Sequence, residues 1–400
     1  MKILYAVPYL CSPPVSTATE YHNNMIRILR ARGHDITVIC YADSPDSLLD
    51  LREIGCYVEA IYKHLPIINF MTVLKSMMDG TPITVKKYYS KQFVSGLCKL
   101  ISDNYDIALL EHIQMAQFAP LLKERGIECV LRYHDVEAEK MIRLARSREA
   151  FYKRLYGFVE SFRMLRYERK FATLFPTIVM SEHDRRLLIG TVPEEKTRGR
   201  IWTIPLGIDC DWYDYPRADI VENEILFVGP VEYFKNATSL TWFINSVFPL
   251  VKKRIPGAHL KILNITSSSR LYKSLSGKKD VVLIGYQHDI RPHLARAAVI
   301  IAPMRIASGM SGRVLTSLAM AKPLVATSMA CQGIEMLHGV HAWIADTPES
   351  FAEGICILLK DKELASSLGA EGRKLVRDKY DIRRVALLME TTLNEIIKAG

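Results

Sequence analysis

Short apolar, β-branched runs alternate along the chain with longer segments whose apolar residues recur at helical spacing, the pattern of a parallel sheet wrapped by helices. The runs fall into two series. Ile3–Val7, Asp35–Cys40, Ile107–Glu111, Cys129–Tyr133 and Thr177–Met180 make the first; Ile225–Val228, His259–Leu263, Val281–Ile284, Val299–Ala302 and Pro323–Ala326 make the second. Between the first two strands, Tyr21–Arg32 carries Met25, Ile28 and Leu29 and stops at Gly33, as a helix with a glycine just past its end does. That is a βαβ opening. The last segment, Ile382–Lys398, repeats Val385, Leu388, Met389, Leu393 and Ile396 and reads as an amphipathic helix. The expected fold class is α/β, built from two doubly wound, Rossmann-like domains.

The pattern breaks at Pro205-Leu206-Gly207-Ile208-Asp209 and the polar stretch that follows it, with Pro216, before a fresh strand starts at Ile225. The expected organisation is a first domain over 1–205, a linker over 206–223, a second domain over 224–380, and a helix over 381–400 that packs back on the first domain. With 400 residues, 49% of them apolar and 24% charged, the chain has ample material for two cores and excludes the disordered and fibrous classes. No run approaches the roughly 18 apolar residues of a membrane-spanning helix. The opening Met1–Pro8 reads as a buried strand ending in a proline turn rather than an export signal. The eight cysteines contain no C-x-x-C pair, so neither a disulfide framework nor a zinc site is expected, and a reducing cytoplasm fits.

Lys and Arg exceed Asp and Glu by 53 to 43, a surplus spread almost evenly over the two halves. The window 140–170 stands apart, with ten basic residues against Glu149, Glu160 and Glu168. It also repeats Phe151, Leu155, Phe158, Phe162 and Leu165 at helical spacing. Two readings stand: a surface helix that meets anionic lipid, or a helix packed on the core with solvated charges. No helix-turn-helix, zinc or aromatic single-strand motif accompanies the window, so nucleic acid is not an expected partner. His112, His288, His293, His338 and His341 lack ligand spacing with Cys or carboxylates and read as surface or packed residues. Glu111 and Glu137 flank strands and could touch a substrate hydroxyl, or serve as helix-start or surface carboxylates.

Candidate chemistry concentrates in Pro303–Met320. A buried strand leads through a Gly/Ser loop into a helix whose apolar face is Val314, Leu315, Leu318 and Ala319. The N–H groups of Gly309, Met310, Ser311 and Gly312 then lie at a helix N-terminus, where a pyrophosphate is favoured, and Arg313 adds charge. The same loop could be structural only.

Residues 225–380 resemble the second domain of the group 1 glycosyltransferases, the retaining family 4 enzymes of GT-B fold. The likeness rests on Phe227-Val228-Gly229, on Leu283-Ile284-Gly285-Tyr286-Gln287-His288-Asp289, on Ala302-Pro303-Met304-Arg305-Ile306 with Ser308-Gly309, and on Leu318–Thr327. The first domain is similar through Arg32-Gly33-His34, Tyr133-His134-Asp135 and Ser181-Glu182-His183. The branch it most resembles is that of bacterial exopolysaccharide-type sugar transferases. The resemblance implies two domains, acceptor side then donor side, facing across a cleft.

It also implies roles. Lys235 matches a lysine on the donor phosphates, and His134 a histidine on the donor sugar; with Arg313 these are the expected catalytic residues. Gly229, Tyr286, Gln287, Arg305, Ser308, Gly309, Met310, Ser311 and Thr316 fall on donor-binding positions, Tyr286 and Gln287 at the nucleotide base. Thr17 and Ala18 fall where the family has Gly-Gly. The two family glutamates fall on Ser308 and Thr316, and the arginine after the domain-opening glycine on Pro230. The implied partners are a UDP-, GDP- or ADP-sugar donor and a glycan, lipid-linked or small-molecule acceptor. No metal and no cofactor are expected, because Lys235, Arg313 and the loop amides supply the charge. The expected place is the cytoplasm, possible membrane contact being peripheral, through 140–170, on the inner face. The lost carboxylates leave a second reading: a catalytically impaired GT-B protein acting as a glycan-binding or partner subunit.

Overall fold

A computed structural model describes the chain except residues 11–16, 63–67, 69, 148–149, 191–198, 217, 232–233, 268, 307–308 and 400. It divides into two compact units, Met1–Leu206 with Arg383–Gly400, and Gly207–Ile382. From Gly207 on, the stretch read as a linker is counted in the second unit, with Ile208, Cys210 and Tyr213 buried.

In the first unit a seven-stranded sheet runs in the order β3-β2-β1-β4-β5-β6-β7. Its strands are β1 Lys2–Val7, β2 Asp35–Ala42, β3 Tyr57–Tyr62, β4 Ile107–Glu111, β5 Cys129–Tyr133, β6 Thr177–Val179 and β7 Ile201–Thr203, all pairing in parallel. Continuous apolar runs such as Ile3–Val7 form these strands because a parallel sheet with helices on both faces buries every side chain. Helix α1, Thr17–Ala31, follows β1 and ends at Gly33, whose φ of 88° is the left-handed conformation that only glycine adopts cheaply. Three further helices matter below: α2 Phe70–Asp79, α3 Glu137–Ala145 and α4 Phe151–Leu174.

The second unit holds a six-stranded parallel sheet, β10-β9-β8-β11-β12-β13. These strands are β8 Glu224–Val228, β9 His259–Leu263, β10 Val281–Ile284, β11 Val299–Ala302, β12 Leu324–Ala326 and β13 Trp343–Ile344. Its helices include α5 Phe234–Trp242, α6 Gly312–Ala319 and α7 Lys362–Lys379; the final helix, α8 Ile382–Ala399, is counted from Arg383 on in the first unit and buries Val385, Met389, Leu393 and Ile396. Each sheet reverses its direction of growth once, between β1 and β4 in one and between β8 and β11 in the other. Such switch points open a crevice at the carboxyl ends of the strands, where ligands of doubly wound folds bind.

Candidate active site

At the switch point of the first sheet, side chains from both strands converge on one carboxylate. Glu111, the last residue of β4, is fully buried. The Tyr5 hydroxyl of β1 donates to its Oε1 at 2.8 Å, and His134, just past β5, lies 2.6 Å from its Oε2 through Nε2. Arg132, paired in register with Glu111, brings Nη1 to 3.7 Å and donates Nη2 to the carbonyls of Ile204 and Pro205. Burial raises the pKa of Glu111 and lowers those of His22, His112 and His134 below the usual histidine range, so the imidazoles are neutral at pH 7.

Neutrality fixes the direction of each hydrogen bond. With the Tyr5 proton given to Glu111, His22 donates Nδ1–H to the Tyr5 oxygen across 2.8 Å. Its Nε2 then accepts from His112 Nε2–H at 3.3 Å. His134 gives Nε2–H to Glu111 and keeps its Nδ1 lone pair. His112 reaches this position through a left-handed backbone, φ 68°. The nitrogens of His22, His112 and His134 lie within 4.8 Å of one another, which invites comparison with a three-histidine metal site. The rings of His112 and His134, however, are stacked at 3.8 Å with only 16° between their planes. Imidazole lone pairs lie in the ring plane, and two nearly parallel planes that far apart do not converge on one ion.

The second switch point carries a cation. Gly229 follows β8 with φ 146°, and Arg313, in the first turn of α6, lies against it. A Cβ on Gly229 would sit 2.1 Å from Arg313 Nη2. The guanidinium rests 4.5 Å over the Phe227 ring and donates Nη2 to Asn236 Oδ1 at 3.0 Å, while Asn236 Nδ2 donates to the Pro230 carbonyl at 2.7 Å. Nη1 is buried without a hydrogen-bond partner among the described residues. Burial pulls the Arg313 pKa down to about 10, which leaves it charged at neutral pH. A half-buried cation with an unused donor, beside a helix N-terminus, has the chemistry to take an anion.

Residues 222–361 match the family of glycosyl transferases group 1. They form a group 1 glycosyltransferase domain. The whole chain has the GT-B fold: it superposes on sucrose-phosphate synthase of Thermosynechococcus elongatus with a TM-score of 0.75 at 14% identity, covering 100% of both chains. HepE of Anabaena, solved with UDP and glucose, gives 0.72 at 14% identity, covering 98% of this chain and 99% of that one. TarM of S. aureus gives 0.68 at 10%, covering 98% of each. A protein in the cps region of Klebsiella pneumoniae is 22% identical over 376 residues, 90% of this chain and 91% of that protein.

Within the glycosyltransferase domain, the sequence-expected donor residues fall into three groups. Gly229 and Arg313 touch, and Lys235 stands exposed in the first turn of α5, next to the Asn236 that holds Arg313. Gly309, with φ 64°, leads through Met310 and Ser311 into α6; Ser308 lies outside the described residues. Thr316 is buried on α6, its hydroxyl donating to the Arg313 carbonyl at 3.1 Å. Tyr286 and Gln287 follow β10, where the Gln287 N–H is taken by Asn264 Oδ1 at 3.0 Å. Arg305 is exposed, stacks 5.0 Å over Trp242 and donates to the Asp346 carbonyl. In the first unit, Thr17 and Ala18 open α1, and their side chains lie outside the described residues.

Sequence reasoning named His134 but missed its neighbours. His22, His112 and Arg132 come from three different segments, so no spacing rule joins them; the available signal was that Glu111-His112 and Arg132–His134 each end a buried strand. The surface reading of Glu111 is corrected: it is the hub of a buried network. Glu137 does start a helix, where it pairs with Lys140 at 3.2 Å.

Proposed function

We propose that the protein is a retaining glycosyltransferase that moves a sugar from a nucleotide diphosphate donor to an acceptor in polysaccharide or glycoconjugate biosynthesis. The observation that carries this reading is Arg313. A half-buried guanidinium with an unused donor sits at the switch point of a group 1 domain, beside a helix N-terminus and a glycine that leaves room for it. The diphosphate lies against Arg313, Lys235 and the amides of Gly309–Gly312, and the base against the turn at Tyr286 and Gln287. UDP is the first nucleotide to try, since HepE and TarM were solved with it.

Catalysis is then stabilisation of charge on the departing diphosphate by fixed cations and N–H groups, without a metal. The acceptor proton passes to the leaving phosphate oxygen on the same face of the sugar. His134, oriented by Glu111 through Nε2, contributes its Nδ1 lone pair as a hydrogen-bond acceptor for a donor-sugar hydroxyl. The enzyme works in the cytoplasm, peripheral to the inner face of the membrane.

Calorimetric titration with UDP, GDP and ADP tests the reading: one of them binds, and Lys235→Ala weakens it. Absence of binding by all three at millimolar concentration overturns it. The self-bonded Thr316 hydroxyl favours the second reading, an impaired transferase that binds glycan or a partner. Turnover with any donor, lost in His134→Ala, excludes that alternative.

A further inference from the structure

We propose that α2 and α4 together form a docking surface that inserts into the headgroup region of an anionic lipid bilayer. This deepens the peripheral placement above, on an observation independent of the donor site.

The sidedness of α4 is inverted. Toward the protein it turns Gly157, Glu160, Ser161, Met164 and Glu168. Glu160 accepts the Ile83 N–H at 2.8 Å and pairs with Arg163 at 2.6 Å; Glu168 accepts the Glu137 N–H at 2.7 Å. Gly157 lets α3 come so close that a Cβ there would lie 2.8 Å from the Ala145 nitrogen. With polar anchors holding the inner face, the apolar stripe points outward: Phe151 is 77% exposed, Phe162 61%, and Leu155 and Phe158 at least half. The stripe is therefore not core-packed; only Leu165, at its end, packs inward.

The neighbouring helix does the same. Arg163 donates to both the carbonyl and the hydroxyl of Ser76, the buried residue of α2, and to the Thr81 carbonyl at 2.9 Å. This joins the two helices at one point, Arg163 to Ser76. On α2, Met77 and Met78 are 71% and 79% exposed, with Met71 and Leu74 also outward. Aromatic, leucine and methionine side chains are thus left in water on both helices, and exposed apolar clusters of this kind mark interaction surfaces.

Charge selects the occupant. Both acids of α4 are buried, so each exposed charge on that helix is positive: Arg154, Arg166, Arg169 and Lys170; on α2 the exposed Lys75 is joined by Asp79, which is paired with Lys86. A second copy docking isologously would set these like charges against themselves. An anionic bilayer satisfies both halves of the surface, accepting apolar side chains below its headgroups and pairing the cations at its surface. No helix among the described residues is long and apolar enough to cross a membrane, so the contact is in-plane.

The test is co-sedimentation of the full chain with phosphatidylcholine vesicles, with and without about 30% phosphatidylglycerol. The expected result is partitioning about tenfold or more stronger onto the anionic vesicles, weakened by salt, and reduced about tenfold by Phe158→Asp/Phe162→Asp and by Met77→Asp/Met78→Asp. These positions are exposed, so circular dichroism and melting should match the parent. Equal recovery on both vesicles, or variants that bind like the parent, overturns the proposal. So does a dimer seen by light scattering without lipid that the same substitutions dissolve. UDP titration of the same variants separates the two readings: nucleotide binding that survives a failed vesicle assay removes the docking surface alone, and the converse removes the transferase alone.

Discussion

Gly229→Ala probes the cation site without replacing a charged residue. At φ 146° an alanine is strained by about 1–3 kcal/mol, and its Cβ would stand 2.1 Å from Arg313 Nη2 and 3.2 Å from Asn236 Nδ2. The guanidinium, held between Phe227 and Asn236, must leave its place. In a domain of this size each kcal/mol lowers the melting temperature by about 2–4 °C, so strain alone costs roughly 2–12 °C and the displaced guanidinium adds to it. A displaced Arg313 also forfeits a charge-assisted hydrogen bond to the diphosphate, about 1.5–3 kcal/mol, or roughly ten- to a hundredfold in nucleotide affinity. Scanning calorimetry and nucleotide titration of Gly229→Ala, Arg313→Ala and the double variant complete a cycle. In the Arg313→Ala background the clash with the guanidinium is gone and only backbone strain and the 3.2 Å approach to Asn236 Nδ2 remain, so the second substitution costs less there. Equal cost in both backgrounds, or unchanged nucleotide affinity in Gly229→Ala, would refute the coupling.

Glu111→Gln should destabilise by about 3–5 kcal/mol, because Arg132 loses its buried carboxylate, and should lower turnover while nucleotide affinity holds; denaturant melts and a transfer assay read the two effects. Gly369→Ala separates two influences of opposite sign. Helix propensity favours alanine by about 1 kcal/mol, but a Cβ on Gly369 of α7 would meet the Ala321 carbonyl oxygen at 2.2 Å, so melting should fall. Acid should also unfold the protein through its imidazoles. His22, His112 and His134 hold pKa values below the unfolded 6.5 or so, so as pH falls below that value the unfolded chain binds protons first and stability drops, by up to about 1.4 kcal/mol per pH unit for each. Glu168, raised by burial, opposes this by taking up its proton in the folded state first. His112→Asn should therefore flatten the wild-type stability slope between about pH 6.5 and 5 in urea melts; parallel slopes would contradict the assignment.

The core strands were legible because a parallel sheet buries both faces, so each central strand is written as a mostly apolar run, broken by Arg132 in β5 and by His259 and Lys261 in β9; Ile107–Glu111, Cys129–Tyr133, His259–Leu263 and Val299–Ala302 match residue for residue. Of the edge strands, β10 was read as Val281–Ile284, but β3, β7 and β13 were not. β3 reads Tyr-Val-Glu-Ala-Ile-Tyr and is half-exposed, and β7 and β13 are too short to register as runs. On the site, the Gly/Ser loop before α6 marks a helix N-terminus locally, so Arg313 was named from the residues themselves, whereas Gly229 was named through the family resemblance. The Glu111 hub is assembled across four segments by strand register, which a linear reading cannot supply. The α4 stripe shows another limit. Periodicity reports that one face is apolar, not which way it points, and the direction was decided by Glu160 and Glu168 finding partners inside.

The first unit is discontinuous in sequence, and this orders its birth. The chain leaves it after Leu206 and returns at Arg383, at a spot where Ile208 and Tyr380–Ile382 of the second unit exchange backbone hydrogen bonds of 2.8 and 2.9 Å. Everything the second unit needs emerges from the ribosome as one uninterrupted stretch. The first unit, although synthesised first, waits for α8 and the ion pair between Glu390 and Arg32 before its surface is closed. During translation the order of completion is thus inverted with respect to the order of synthesis, and the unfinished N-terminal half is the part that requires protection.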